Sequence, residues 1–263
     1  MHEHKVNAFF ECCLRRIGTI RSRQQQEEAI SYLAGFINHY IADSICHPYV
    51  YGRIGYPVDA PTSMHHGMHA HLENELDAIL LWKYKKKKPS EFNQTATICL
   101  NGQEIQFISH FLASCINETY YPITYRNNFQ VTPAMVHRSI WALRFGCRTL
   151  SDKNGKKKFG IAQVESIFVN HPVASAKMVT DSVTDYRSSC NLNHEAWGNP
   201  WDPTRVSTAS FVDLFHETLD KCSRVYALLN SAVTDNVPLD KQDLSPLLTE
   251  LGNESYHSGL PVD

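Results

Sequence analysis

No stretch of this chain approaches the ~18 consecutive apolar residues that a membrane-spanning helix needs, so no transmembrane segment is expected. The opening residues, Met1-His2-Glu3-His4-Lys5, also lack the apolar core of a secretory signal. A soluble, cytoplasmic protein is the expectation. Neither sign of charge dominates: the formal net charge is −2 and the pI is about 6.7. That balance gives no broad electrostatic footprint for nucleic acid or for an anionic membrane. The eight cysteines (Cys12, Cys13, Cys46, Cys99, Cys115, Cys147, Cys190 and Cys222) form no Cys-x-x-Cys pair and no framework spacing. They read as reduced, buried thiols rather than disulfides or a cysteine zinc site. A glycine-rich phosphate loop, a Gly-x-Ser-x-Gly elbow and an RNA-binding signature are all missing, which removes the commonest competing enzyme classes.

Strand signals are sparse and helical signals are long. Residues 4–20 carry Val6, Phe9, Phe10, Cys13, Leu14 and Ile17 at the three-to-four spacing of an amphipathic helix. Residues 24–45 continue with Ile30, Leu33, Ile37, Ile41 and Ile45. Pro48 disfavours helix at His47, and Gly52, Gly55, Pro57 and Pro61 predict a loop before Ser63 opens a helix over 63–85. Residues 94–109 fit either a hairpin about Asn101-Gly102 or a loop leading into a helix at 104–120. Thr132-Pro133 opens a helix to about 150, and further helices are predicted near 158–169, 209–233 and 241–251. Residues 171–208 read as irregular, with Trp197 and Trp201 as packing anchors. Two basic runs, Lys83 to Lys88 and Lys153 to Lys158, read as a solvated helix end and a basic loop. With 43% hydrophobic residues and no repeat or low-complexity linker, the expectation is an all-α, single-domain multi-helix bundle spanning 1–263. Within it, 1–85 would hold the metal-site core, 86–252 the helical remainder and 253–263 a frayed tail.

The histidines are unevenly spread. Eight of the 14 fall within the first 71 residues. Four residues form two His-x-x-x-acid pairs, His39 with Asp43 and His69 with Glu73, each in a segment of helical spacing. Residues four apart stack on one helix face, with Cβ atoms roughly 5–6 Å apart. Imidazole and carboxylate are ordinary zinc ligands, and a carboxylate can also bridge two metals. Tyr40, Ile41 and Leu72 surround the pairs with apolar sequence, where unpaired polar groups would be costly. His110, His137 and His216 have no acidic partner at ligand spacing and read as structural. Cys12-Cys13 reads as core packing.

The string His39-Tyr40-Ile41-Ala42-Asp43, then His47-Pro48, then His69-Ala70-His71-Leu72-Glu73-Asn74-Glu75-Leu76-Asp77, resembles the zinc-dependent phospholipase C family of bacteria, whose fold is shared with P1-type nucleases. The resemblance implies an all-helical bundle of that type holding up to three Zn²⁺ ions. It implies that His39 and Asp43 match the family's His-Tyr-x-x-Asp ligands, with Asp43 bridging two zincs, and that His69 and Glu73 match the later His-x-x-x-Glu ligands. It suggests His47 as the remaining histidine of the second zinc, with His65 or His66 as the rival. An upstream family histidine is matched by His2 or His4, and the pattern His-x-x-Lys-x-x-x-Phe-Phe favours His2. Trp197-Gly198-Asn199-Pro200-Trp201, followed by Ser210-Phe211, is also similar to members of the family. The match is clear over 1–85 and weaker near 185–220.

In the family, a segment of several dozen residues upstream supplies further ligands and a candidate base. Met1 lies 38 residues before His39, so those groups are expected to be absent, replaced or lost by truncation, and one or two zincs suit this chain better than three. The implied function is zinc-dependent phosphodiester hydrolysis, a metal-activated water attacking the phosphorus of a phospholipid in line. Asp43 and Glu73 are the carboxylates implied at the reaction centre. A nuclease-like phosphodiesterase on the same scaffold, or a catalytically impaired metal-binding or interaction protein, are the alternatives. The expected partner is a phospholipid or another phosphodiester.

Overall fold

The computed structural model describes residues 3–124, 128–183 and 185–263. Its helices, in chain order, are α1 (Val6–Gly18), α2 (Arg23–Arg53), α3 (Ser63–Lys85), α4 (Gly102–Tyr120), α5 (Pro133–Thr149), α6 (Lys156–Phe168), α7 (Tyr186–Ser189), α8 (Phe211–Thr234) and α9 (Ser245–Leu251). The strands are β1 (Trp197–Asn199) and β2 (Asp202–Ser207), an antiparallel pair with Trp197 opposite Ser207. The architecture is all-α.

The chain divides into two compact units. The first comprises 1–47, 100–142 and 215–263. Its core follows from one stripe on α1: Val6, Phe9, Phe10, Cys13, Leu14 and Ile17 recur every three or four residues and are all buried. They meet Ile37, Tyr40 and Ile41 of α2, Ile108 and Cys115 of α4, Val225 of α8 and Leu251 of α9 in one apolar cluster. Phe10 packs against Tyr40 with ring centroids 5.3 Å apart. The second unit comprises 48–99 and 143–214. There Tyr49 is fully buried, its ring edge-on to Trp197 at 5.3 Å and tilted against Phe211 at 5.5 Å.

Four local expectations need correction or a choice. Helix α2 does not stop before Pro48 but runs through it to Arg53. Proline has no N–H to give the Ser44 carbonyl, yet burial of Tyr49, whose hydroxyl donates to the Ser189 carbonyl at 2.6 Å, holds the following turn. Tertiary packing outweighs the local signal. Of the two readings of 94–109, the helix forms. Asn101 caps it, its side chain accepting from the amides of Gln103 and Glu104 at 2.9 and 3.0 Å, while Glu104 accepts from the Asn101 amide at 2.7 Å. The segment expected to be irregular, 171–208, contains the β1–β2 hairpin, and Trp197 anchors it by donating its indole N–H to the Ala209 carbonyl at 2.9 Å. Residues 253–263 are packed rather than frayed. Tyr256 is 2% exposed, and its ring lies 4.9 Å from that of Tyr40. The Lys5 amide donates to the Asp263 carbonyl at 2.8 Å and the Asn7 amide to the Asn253 side chain at 3.0 Å.

Candidate metal centre

Helix α2 carries His39, Asp43 and His47 four residues apart, hence on one face. His39 Nδ1 stands 3.4 Å from Asp43 Oδ1, and the other carboxylate oxygen stands 3.8 Å from His47 Nδ1. His39 is half exposed, while Asp43 and His47 are largely enclosed. The decisive contact of His47 comes from far along the chain. Its Nδ1 lies 2.7 Å from the Tyr256 carbonyl oxygen. A carbonyl only accepts, so Nδ1 carries the proton, which in the neutral ring leaves the lone pair on Nε2. The segment bearing Tyr256 is pinned beside α2: the Tyr40 hydroxyl donates to Glu254 Oε2 at 2.7 Å and accepts from the Glu254 amide at 2.9 Å. The neighbouring His257 ring faces His47 at 6.0 Å, and its Nδ1 lies 3.2 Å from Glu3 Oε1.

Helix α3 presents the second pair. His69 Nε2 lies 3.0 Å from Glu73 Oε1, and the Tyr51 ring packs against the His69 ring at 4.6 Å. Asp77 is four residues further along. Its side chain is open to solvent, yet the protein mass around it, with the Glu73 charge as the lesser cause, holds its carboxyl up at about 6. The interleaved pair His71 and Glu75 has another task. Glu75 is buried and accepts from the Ser189 hydroxyl at 2.6 Å, tying α3 to α7, with His71 Nε2 at 3.7 Å.

Among the described residues, His47, His69 and Glu73 form a group that could hold a metal ion: each offers a ligand atom, all within 4.8 Å of one another. His65 is committed elsewhere, its Nδ1 meeting the Thr62 hydroxyl at 2.9 Å at the head of α3. His66 is exposed. Neither belongs to the group. His39 and Asp43 form a pair outside it, and His2 lies outside the described residues.

A family model described as zinc-dependent phospholipase C matches residues 1–125. Over that stretch, just under half of the chain, the sequence is similar to the zinc-dependent phospholipase C family. No curated protein and no solved structure matches the chain significantly. The matched stretch contains both His-x-x-x-acid pairs and His47. No helix among the described residues is long and apolar enough to cross a membrane.

The donor set fits zinc. Two histidines and one carboxylate are the ligand composition of catalytic zinc sites, which keep a fourth position open, rather than of closed structural ones. Donors about 2.0–2.1 Å from a tetrahedral ion stand roughly 3.3 Å from each other, and the 3.0 Å between His69 and Glu73 needs little adjustment. The proton held on His47 Nδ1 by a backbone carbonyl is the usual way that a zinc histidine is oriented. Zn²⁺ is the cofactor that family and donor set agree on, and together they support a phosphodiesterase-like role. Sequence reasoning missed Tyr256, His257 and Glu254. No local pattern marks them, because their relation to α2 exists only in the packed core.

Proposed function

We propose that the protein is a zinc-dependent hydrolase of the phospholipase C type that cleaves a phospholipid phosphodiester. His47, His69 and Glu73 hold one zinc in this reading. His39 and Asp43, with His2, would supply ligands for a second. The observation that carries the proposal is the convergence of His47, His69 and Glu73 within the family-matched stretch. Zinc bound there supplies Lewis acidity toward a phosphate oxygen and lowers the pKa of water. The chain's own groups do the positioning. The Tyr256 carbonyl keeps the His47 proton on Nδ1, Tyr51 keeps the His69 ring in place, and Glu73, partly exposed, is the carboxylate best placed to meet both substrate and water.

Purified protein should contain at least one zinc per chain after mild dialysis. His47→Ala, His69→Ala and Glu73→Ala should each weaken zinc retention by about 10-fold or more. The zinc-loaded protein should release diacylglycerol from phosphatidylcholine in preference to cutting single-stranded nucleic acid. Unchanged zinc content in His69→Ala and Glu73→Ala would sink the ligand assignment. Zinc-loaded protein that cuts nucleic acid and spares phospholipid would replace the substrate.

A further inference from the structure

The lysine run at the end of α3 does not simply point into solvent. Lys83, Lys86 and Lys88 line a cleft of about 540 Å³ whose floor is Ala78, Ile79 and Val183. That volume lies within the range of small-molecule sites. Two aromatic side chains, Trp82 and Tyr186, flank the floor while remaining 55% and 42% exposed. An indole left half in water at the mouth of an apolar cleft is a surface available to a ligand.

Charge in the cleft is lopsided. Among the lining residues the one carboxylate is Asp181, and it is already engaged: Asp181 accepts from the Ser90 amide at 2.9 Å and from the Ser90 hydroxyl at 2.7 Å. This contact fixes the short turn Pro89–Glu91 as one wall. Among the described residues, none of the three lysines forms an ion pair with a carboxylate. The C-terminal carbonyls of α3 carry only about half a negative charge, so three ammonium groups exceed what the helix end requires. The backbone also serves this arrangement. Lys86 closes α3 in the left-handed conformation, φ 54°, where glycine is the usual residue. The turn that it makes brings Lys88 and Pro89 onto the same cleft.

We propose that this cleft binds an anionic amphiphile, a phosphate head on Lys83, Lys86 and Lys88 and an apolar body lying on Ile79, Trp82 and Tyr186. The site is separate from the metal centre. Trp82 comes nine residues after Glu73, about two and a half helical turns, which sets them on opposite sides of α3.

The test uses decyl phosphate below its micellar concentration, with inorganic phosphate and the uncharged decyl maltoside as arms that isolate head and tail. Calorimetry on the zinc-bearing protein should show one saturable site for decyl phosphate, at least 10-fold tighter than for either arm. Lys86→Gln with Lys88→Gln, both at exposed positions, should weaken binding at least 10-fold. Trp82→Ala should weaken it about 5-fold. Zinc content and circular dichroism should stay at the wild-type values in both variants. Wild-type affinity in the double lysine variant would overturn the proposal. So would inorganic phosphate binding as tightly as the amphiphile, or uptake that appears only with micelles or vesicles, since that would be adsorption to a surface and not occupancy of a cleft.

Discussion

His47 takes its orientation from a main-chain atom 209 residues away, so the histidine was legible as a ligand candidate and its support was not. The His-x-x-x-acid pairs could be read because helical geometry is local, whereas the Tyr256 carbonyl reaches α2 only through the fold. Tyr40 is the nearest side chain through which that support can be tested. Tyr40→Phe removes a buried hydroxyl that both donates to and accepts from Glu254. It should cost about 1–3 kcal/mol in thermal or denaturant unfolding, and zinc retention should fall with it. Asp77 offers a test by titration. Its carboxyl is raised to about 6, above the unfolded value near ~3.9, so the folded state binds more protons between those pH values. The stability tied to Asp77 is therefore full at low pH and is lost as pH rises through 6. In chelator-treated protein, Glu73→Gln should lower the Asp77 value, read by carbon NMR, but not to ~3.9, because the protein mass around the carboxyl is the larger cause. The thiols separate in the same way. Burial pushes Cys46 up to about 12, while Cys99 is exposed. Iodoacetamide at pH 8 should modify Cys99 well before Cys46, as mass spectrometry of timed samples would show.

At the scale of elements, α3 was read with its bounds at 63–85 because its apolar spacing and cap are local. The continuation of α2 past Pro48 was not, since the turns from Tyr49 onward depend on Ser189 and Trp197. Asn101-Gly102 carried two meanings. The capping box with Glu104 decides between them, and both partners were present in the sequence. Close approach of backbone to backbone was also hidden. A Cβ on Gly67 would stand 2.1 Å from the Pro172 carbonyl oxygen, and one on Gly52 would stand 2.4 Å from that of Gly198. Neither obstacle is the end of a flexible side chain. Gly67→Ala and Gly52→Ala should each lower stability by about 1–3 kcal/mol, measured as a fall in the unfolding midpoint. A midpoint equal to wild type in both would show that these helix contacts are looser than described.

For the whole molecule, the all-α class followed from the scarcity of strand signals and from helical periodicity. The role of residues 253–263 did not, because their glycine, serine and asparagine content reads as disorder until Tyr256 is seen in the core beside Tyr40. Removing 253–263 should melt the first unit and weaken zinc binding together, whereas a dispensable tail would leave both unchanged. The first unit is drawn from three separated stretches, 1–47, 100–142 and 215–263. A ribosome delivers them in order, so α1 and most of α2 emerge with their apolar stripes uncovered and wait for Val225, Leu251 and Tyr256. During that interval His47 has no carbonyl to fix its tautomer. The mature geometry at His47 can be set only after Tyr256 has left the ribosome.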